Sequence, residues 1–330
     1  MLAFTLAAAA PAQNGNDEWL QMAARAVQQS KLTLPGSMPF HVKAEIIETT
    51  NPASDYRAKI EENWISPEKW QRTIASPGFS QTMVVNGDKL LEMDTGDYFP
   101  WWLNNLVTAI VDPLPELVMP THVDPQAGQI VPSQVSSLST GIRTSSYQWS
   151  LCFDPRRILL TNIFSTGTGY GAEFKNYKNF GKKQVPRQIV FDPEPGTTIQ
   201  ATITELVELK QTDEQMFSVE QSTPIPDRIN HVRIDEDTLR KLSLTSTEID
   251  WPAVENAPVT GGCALYVSAD RTGQMREVWP GGCDNGGLED PLRDIVKKWQ
   301  LKTPTVNGVP VQVESRLTFA FKTRLKSSAP

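Results

Sequence analysis

Three histidines, three cysteines and a few clustered carboxylates are the side chains here that could do chemistry, and their spacing limits what chemistry that is. His41, His122 and His231 stand far apart. His41 and His231 fall in patterns that put them on solvent faces and His122 in a proline-rich stretch, so each reads as a surface residue rather than a general base held against a partner. The run Ser165-Thr-Gly-Thr-Gly-Tyr-Gly171 spaces its glycines by two and leads into an extended segment. A dinucleotide turn needs G-x-G-x-x-G opening a helix. Neither a G-x-S-x-G elbow nor a Gly-Lys-Ser/Thr phosphate loop occurs. Asp235-Glu-Asp237 lacks the glycine and the distal glutamate of a calcium loop and reads as a helix start with Asp235 as its cap. The expectation is a protein that is not an enzyme, with no catalytic residue, no metal and no cofactor.

The cysteines suggest a cross-link instead. An extended run, Gly262 to Asp270, is followed by a turn, Asp270-Arg-Thr-Gly-Gln274, and a second extended run from Met275 to Trp279. With the turn centred near Thr272 and Gly273, the register brings Cys263 opposite Gly282 and close to Cys283. Cys263 and Cys283 are thus a disulfide candidate suited to an oxidising compartment; two small buried thiols are the other reading. Cys152 is left over in an extended segment. There is no C-x-x-C and no Cys/His cluster of the kind that binds zinc.

These residues sit in a stretch with a definite order of elements. After Gly281, Gly282, Gly286 and Gly287, the residues Leu288, Leu292, Ile295, Val296 and Trp299 recur at helical spacing, with acids early and Lys297 and Lys298 late. A turn at Asn307-Gly308 leads to Val309, Val311 and Val313, and then Leu317, Phe319 and Phe321 alternate with Arg316, Thr318, Ala320 and Lys322. The order is strand, strand, helix, strand. In that order, in Trp251-Pro252-Ala253, in the Asp270-Arg271-Thr272-Gly273 turn, in the helix ending at Trp299, in Lys302-Thr-Pro304 with Val306-Asn-Gly-Val-Pro310, and in Phe319-Ala-Phe321, about eighty residues resemble the C-terminal domain of the TonB family of periplasmic energy transducers. The resemblance implies a small sheet whose edge accepts a strand from an outer-membrane or periplasmic protein. On this reading the closing strand carries the contact, with Arg316, Thr318, Ala320, Lys322 and Arg324 as the partner-strand binding edge.

The rest of the chain is acidic. Residues 251–330 hold 10 Lys+Arg and 8 Asp+Glu, and the remainder holds 21 and 30. An acidic body without a basic stripe argues against nucleic acid as partner. With 330 residues, 39% hydrophobic and 21% charged, the chain can build two domains of ordinary size. Met1 to Ala12 is apolar and ends in Ala10-Pro-Ala12, a small-x-small pattern. Residues 1–16 are therefore read as the end of a secretory signal without its positive start, a greasy tail being the alternative. No segment reaches 18 uninterrupted apolar residues, so no transmembrane helix is expected, and an adaptor is expected rather than an energy transducer.

Asp17 to Leu32 reads as a short helix. Period-two segments follow at Phe40 to Ile46, Tyr56 to Glu61, Trp70 to Ala75, Ser80 to Val85 and Lys89 to Met93, parted by Ser66-Pro67, Pro77-Gly78 and Asn86-Gly87. Tyr98 to Val111 is apolar on nearly every side and reads as a helix that must be covered. Pro113 to Ser146 reads as loop. Strands return at Tyr147 to Phe153, Ile158 to Ser165, Tyr170 to Phe180, Gln184 to Phe191 and Thr197 to Leu209. A helix, a run of antiparallel strands and one greasy helical insertion over residues 17–220 is similar in element order to the LolA/LolB family of lipoprotein carriers. That resemblance implies a half-barrel with an apolar cleft lined by Phe99, Trp101, Trp102 and Leu106; the residues alone leave a filled core equally open.

The fold class expected is α+β: an N-terminal antiparallel half-barrel with a helical insertion at 17–222, a linker at 223–244, and a small ββαβ domain at 245–330. The function expected is periplasmic protein binding through a sheet edge, linked to outer-membrane transport; the alternative is a periplasmic carrier of a lipid or other apolar ligand.

Overall fold

A computed structural model of the chain describes residues 24–26, 28–113, 138–143, 148–154, 156–165, 171–194, 196–210, 214–218, 228–254 and 259–324. The expected signal at 1–16, half of the expected helix at Asp17–Leu32, and His122 lie outside the described residues. Residues 24–26 and 28–30 are helical.

The period-two segments become β1 (Phe40–Glu48), β2 (Ala58–Ser66), β3 (Lys69–Ser76), β4 (Phe79–Asn86) and β5 (Lys89–Thr95), and the apolar stretch becomes helix α1 (Trp101–Val111). The later strands are β6 (Leu138–Arg143), β7 (Gln148–Phe153), β8 (Leu160–Ser165), β9 (Gly171–Lys175), β10 (Lys178–Phe180), β11 (Lys183–Val185), β12 (Gln188–Glu194) and β13 (Thr197–Glu208). All but β10 and β11 join one open antiparallel sheet of eleven strands, ordered β5-β4-β3-β2-β1-β13-β12-β9-β8-β7-β6. Alternation sends Phe40, Val42, Ala44 and Ile46 of β1 and Ile199, Ala201 and Ile203 of β13 to one inner face, where α1 lies over β12 and β13. A register shift at Lys43/Ala44 marks a bulge in the middle of the sheet, which bends a strand locally.

Two expected strands are each split. Asn176, at φ 54°, ends β9, and Pro186 interrupts the second run, so β10 and β11 pair with each other in a separate hairpin. The expected loop at Pro113–Ser146 contains β6.

The C-terminal unit is larger than expected. The region read as a linker contributes β14 (His231–Arg233) and α2 (Glu236–Leu242), the latter capped by Asp235, whose side chain accepts the Thr238 amide at 2.7 Å. Then come β15 (Thr260–Ala269), β16 (Met275–Cys283), α3 (Glu289–Val296), a tiny hairpin of β17 (Thr305–Val306) and β18 (Val309–Pro310), and β19 (Gln312–Lys322). The sheet order is β14-β19-β15-β16, with β14 parallel to β19. Leu265, Val267, Val278, Leu317 and Phe319 face α2, α3 and Trp299 across one core. The Asp270 carboxylate ties the β15–β16 turn by accepting from the Thr272 amide at 2.9 Å, the Gln274 amide at 2.9 Å and the Arg276 guanidinium at 2.6 Å. Cys263 and Cys283 face each other in the register and are disulfide-bonded.

Candidate functional site

From Cys263 to Ala269 every residue of β15 is buried, which an antiparallel strand achieves only when both faces of its sheet are covered. One face is covered by α2 and α3. The opposite face carries Tyr266, Ser268, Glu277 and Trp279, and it lies against the inner face of the large sheet.

Trp279 and Tyr266 belong to the same apolar cluster as α1 and the eleven-stranded sheet. The Trp279 ring stands 4.1 Å from that of Trp101 and 5.2 Å from that of Phe191, and Tyr266 lies 6.4 Å from Trp101. Phe99 stacks on Phe79 at 4.3 Å, and Trp102 meets Tyr56 edge-on at 5.6 Å. A void of about 20 Å³ remains beside Trp101, Tyr266 and Glu314, room for about one water.

Polar contacts fasten this interface along one short strap, the connection from the end of β5 into α1. Asp94 accepts the Ile229 amide at 2.8 Å. Arg271 donates to the Asp97 carboxylate at 2.8 Å and to the Gly96 carbonyl at 3.0 Å. Gln312 pairs with both backbone groups of Phe99, its oxygen accepting the amide and its nitrogen donating to the carbonyl, each at 2.9 Å. Glu277 accepts the Trp101 amide at 2.9 Å and the Tyr98 hydroxyl. The residue before α1 is Pro100, which has no side-chain acceptor to cap the helix. Glu277 reaches across from β16 to do so.

Burial pushes the Glu277 carboxyl up to about 7, and Glu314 adds to this, against the hydrogen bonds from Tyr98 and the α1 amides that favour the charged form. Burial likewise raises Tyr98 and takes Tyr56 up to about 12. At the strap's outer end Glu92 is also raised by burial, although Arg228 lies 3.0 Å away. Among the described residues no group of three or more His, Cys, Asp or Glu is placed to hold a metal ion. His41 touches Glu61 at 2.7 Å and Glu205 at 3.2 Å, and His231 packs edge-on against Phe99 at 5.4 Å.

Phe99, Trp101, Trp102 and Leu106, the expected lining of an apolar cleft, lie in one apolar cluster, and the space before them is filled by Tyr266 and Trp279. The strand edge expected at Arg316, Thr318, Ala320, Lys322 and Arg324 is covered in part. β19 lies inside its sheet: Gln312 and Glu314 pair with β14, the Thr318 amide and carbonyl are taken by Glu236 and Arg240 of α2, and the Arg324 carbonyl accepts from Val254. The Arg293 guanidinium on the Val278 carbonyl covers part of β16 as well. Glu277 and Gln312 were missed. The signal for Glu277 was a carboxylate two residues before Trp279, on the same strand face.

No family model matches the chain, and no curated protein matches it. Among solved structures, an outer membrane lipoprotein-sorting protein domain from Vibrio parahaemolyticus is similar over 60% of this chain and 95% of its own, with 8% identity and a TM-score of 0.36. A LolA superfamily protein from Nitrosomonas europaea is similar over 60% and 96%, with 10% identity and a TM-score of 0.38. Both TM-scores lie below 0.5, so neither likeness decides what this chain binds.

Proposed function

We propose that the chain is a non-catalytic, exported carrier of an apolar ligand such as a lipid acyl chain, held on the inner face of the large sheet. The C-terminal unit is the lid that occupies this face when no ligand is bound. The observation that supports the reading is the insertion of Tyr266 and Trp279 among Trp101, Phe191 and their neighbours, where an acyl chain would find the same apolar contacts. The contacts of Ile229, Arg271, Glu277 and Gln312 meet one strap, residues 94–101, so one movement of the lid releases these four together. The disulfide between Cys263 and Cys283 suits an oxidising compartment such as the periplasm. Strand addition at β19 is the weaker reading because the chain itself fills much of that border.

The test is titration of the delipidated full-length protein with a fluorescent fatty-acyl probe. Saturable uptake is expected, strengthened in Trp279→Ala, where the competing side chain is gone, and weakened at least about tenfold in Trp101→Ala/Trp102→Ala, since each buried aromatic supplies more than 1.4 kcal/mol of contact. No saturable uptake by either wild type or Trp279→Ala sinks the reading.

A further inference from the structure

The contact between Glu277 and α1 is an unusual way to fasten a lid. A carboxylate near a helix N-terminus is favourable, since the first amides point at it and the helix dipole is positive there. Inside an interface, however, the charge has lost most of its water, and a carboxylate without a cation beside it keeps its proton more readily. The partners of Glu277 are a hydroxyl and two backbone amides, from Tyr98, Trp101 and Trp102, none of them a cation.

The surrounding groups do not offset this. Ser268 stands opposite Glu277 in the β15–β16 register and touches Gln312 at 3.5 Å. Glu314 of β19 acts on Glu277 with like charge and is itself met by His231 of β14 at 3.5 Å. Tyr56, from the connection between β1 and β2, feels Glu277, Glu48 of β1 and Arg293 of α3. Arg293 is directed at the Val278 carbonyl and Asp290. On Glu277's own strand Arg276 is committed to Asp270 at 2.6 Å.

We propose that Glu277 is a proton-operated latch: the lid stays on the sheet while this carboxyl keeps its proton, and loosens when the carboxyl ionises and draws toward water. The inference rests on the lid reading above and adds what releases it. The sign follows from the two states. In the closed state the group titrates at about 7, and in the open state an exposed glutamate returns to its ordinary 4.5. Closure is favoured most below the lower value and least above the higher one, so the ratio of closed to open falls by up to about two orders of magnitude across that window.

The test is hydrogen exchange of the full chain at pH 5, 6, 7 and 8, corrected for intrinsic rates, read in the peptides covering 98–106. In wild type, protection is expected to fall from pH 5 to pH 7 and to level off above about 7. In Glu277→Gln, which keeps an acceptor but cannot ionise, protection is expected to be flat. In Tyr98→Phe the fall continues to a higher pH before it levels off, because the lost hydroxyl bond had favoured the ionised form. Flat protection in wild type, or the same slope in Glu277→Gln as in wild type, overturns the latch. The acyl-probe titration separates the two ideas: uptake with flat protection removes the latch and keeps the carrier, and pH-dependent protection without uptake does the reverse.

Discussion

Trp101 of α1 and Trp279 of β16 lie with ring centroids 4.1 Å apart and planes inclined by 36°, both in the core that the N-terminal sheet and the C-terminal unit share. Two units joined through such a pair should unfold together. Trp279→Ala is expected to cost about 3–5 kcal/mol, the usual range for a buried tryptophan, and urea unfolding should remain one transition in wild type. A double-mutant cycle with Trp101→Ala should return a coupling of about 0.5–1.5 kcal/mol. Zero coupling would mean that the rings do not meet in solution.

Gln312 has no exposed surface and spends its amide on both backbone groups of Phe99. Gln312→Leu fills the same space but orphans a donor and an acceptor inside the interface. The expected loss is about 2–4 kcal/mol by chemical denaturation, with faster exchange of the Phe99 amide. A loss under about 0.5 kcal/mol would show that water already reaches Phe99.

Alternation along single strands made most of the large sheet readable: β1 buries every second residue, and β3 and β4 meet at the Pro77-Gly78 turn. What covers a face is not written in the strand. Tyr266 and Trp279 were legible as one side of a hairpin, yet nothing local says that α1 and Phe191 lie opposite. The unbroken run from Cys263 to Ala269 carries no charge, and that was the available sign of a strand covered twice. The place of β14 in the sheet was not legible, because three residues carry too little periodicity to name a partner; it is set by pairing with Gln312 to Glu314, far along the chain.

The β15–β16 turn tests how tightly the hairpin is specified. Gly273 has φ of 88°, and a Cβ there would stand 2.3 Å from the Leu301 carbonyl oxygen. Gly273→Ala should cost about 1–2 kcal/mol for the left-handed backbone alone, and more for the clash. Asp270→Ala, which removes four hydrogen bonds of the same turn, should cost about as much again. Thermal unfolding of both variants checks this; an unchanged midpoint in either would contradict the geometry.

The disulfide closes a short segment with a sequence separation of 20. Loss of the bond in Cys263→Ser/Cys283→Ser is expected to destabilise the fold by about 2–4 kcal/mol, chiefly by freeing the unfolded chain. The effect should be absent when wild type and variant are both compared in excess reductant.

Global stability should depend on pH through Glu277 in a direction opposite to that of an ordinary salt-bridged acid. Its folded-state value of about 7 lies above the usual 4.5, so the folded protein retains a proton that the unfolded chain releases. Below about 4.5 both states hold the proton and the contribution is fully present; as pH rises toward 7 the unfolded chain gains by ionising first, and above about 7 the contribution is gone. The difference corresponds to at most about 3 kcal/mol, and less where solvent reaches the carboxylate. Urea midpoints at pH 5 and pH 8 should therefore differ more in wild type than in Glu277→Gln, with the wild type losing stability at the higher pH relative to the variant. Equal pH slopes in the two proteins would show that the Glu277 carboxylate remains ionised in the folded protein down to the ordinary range.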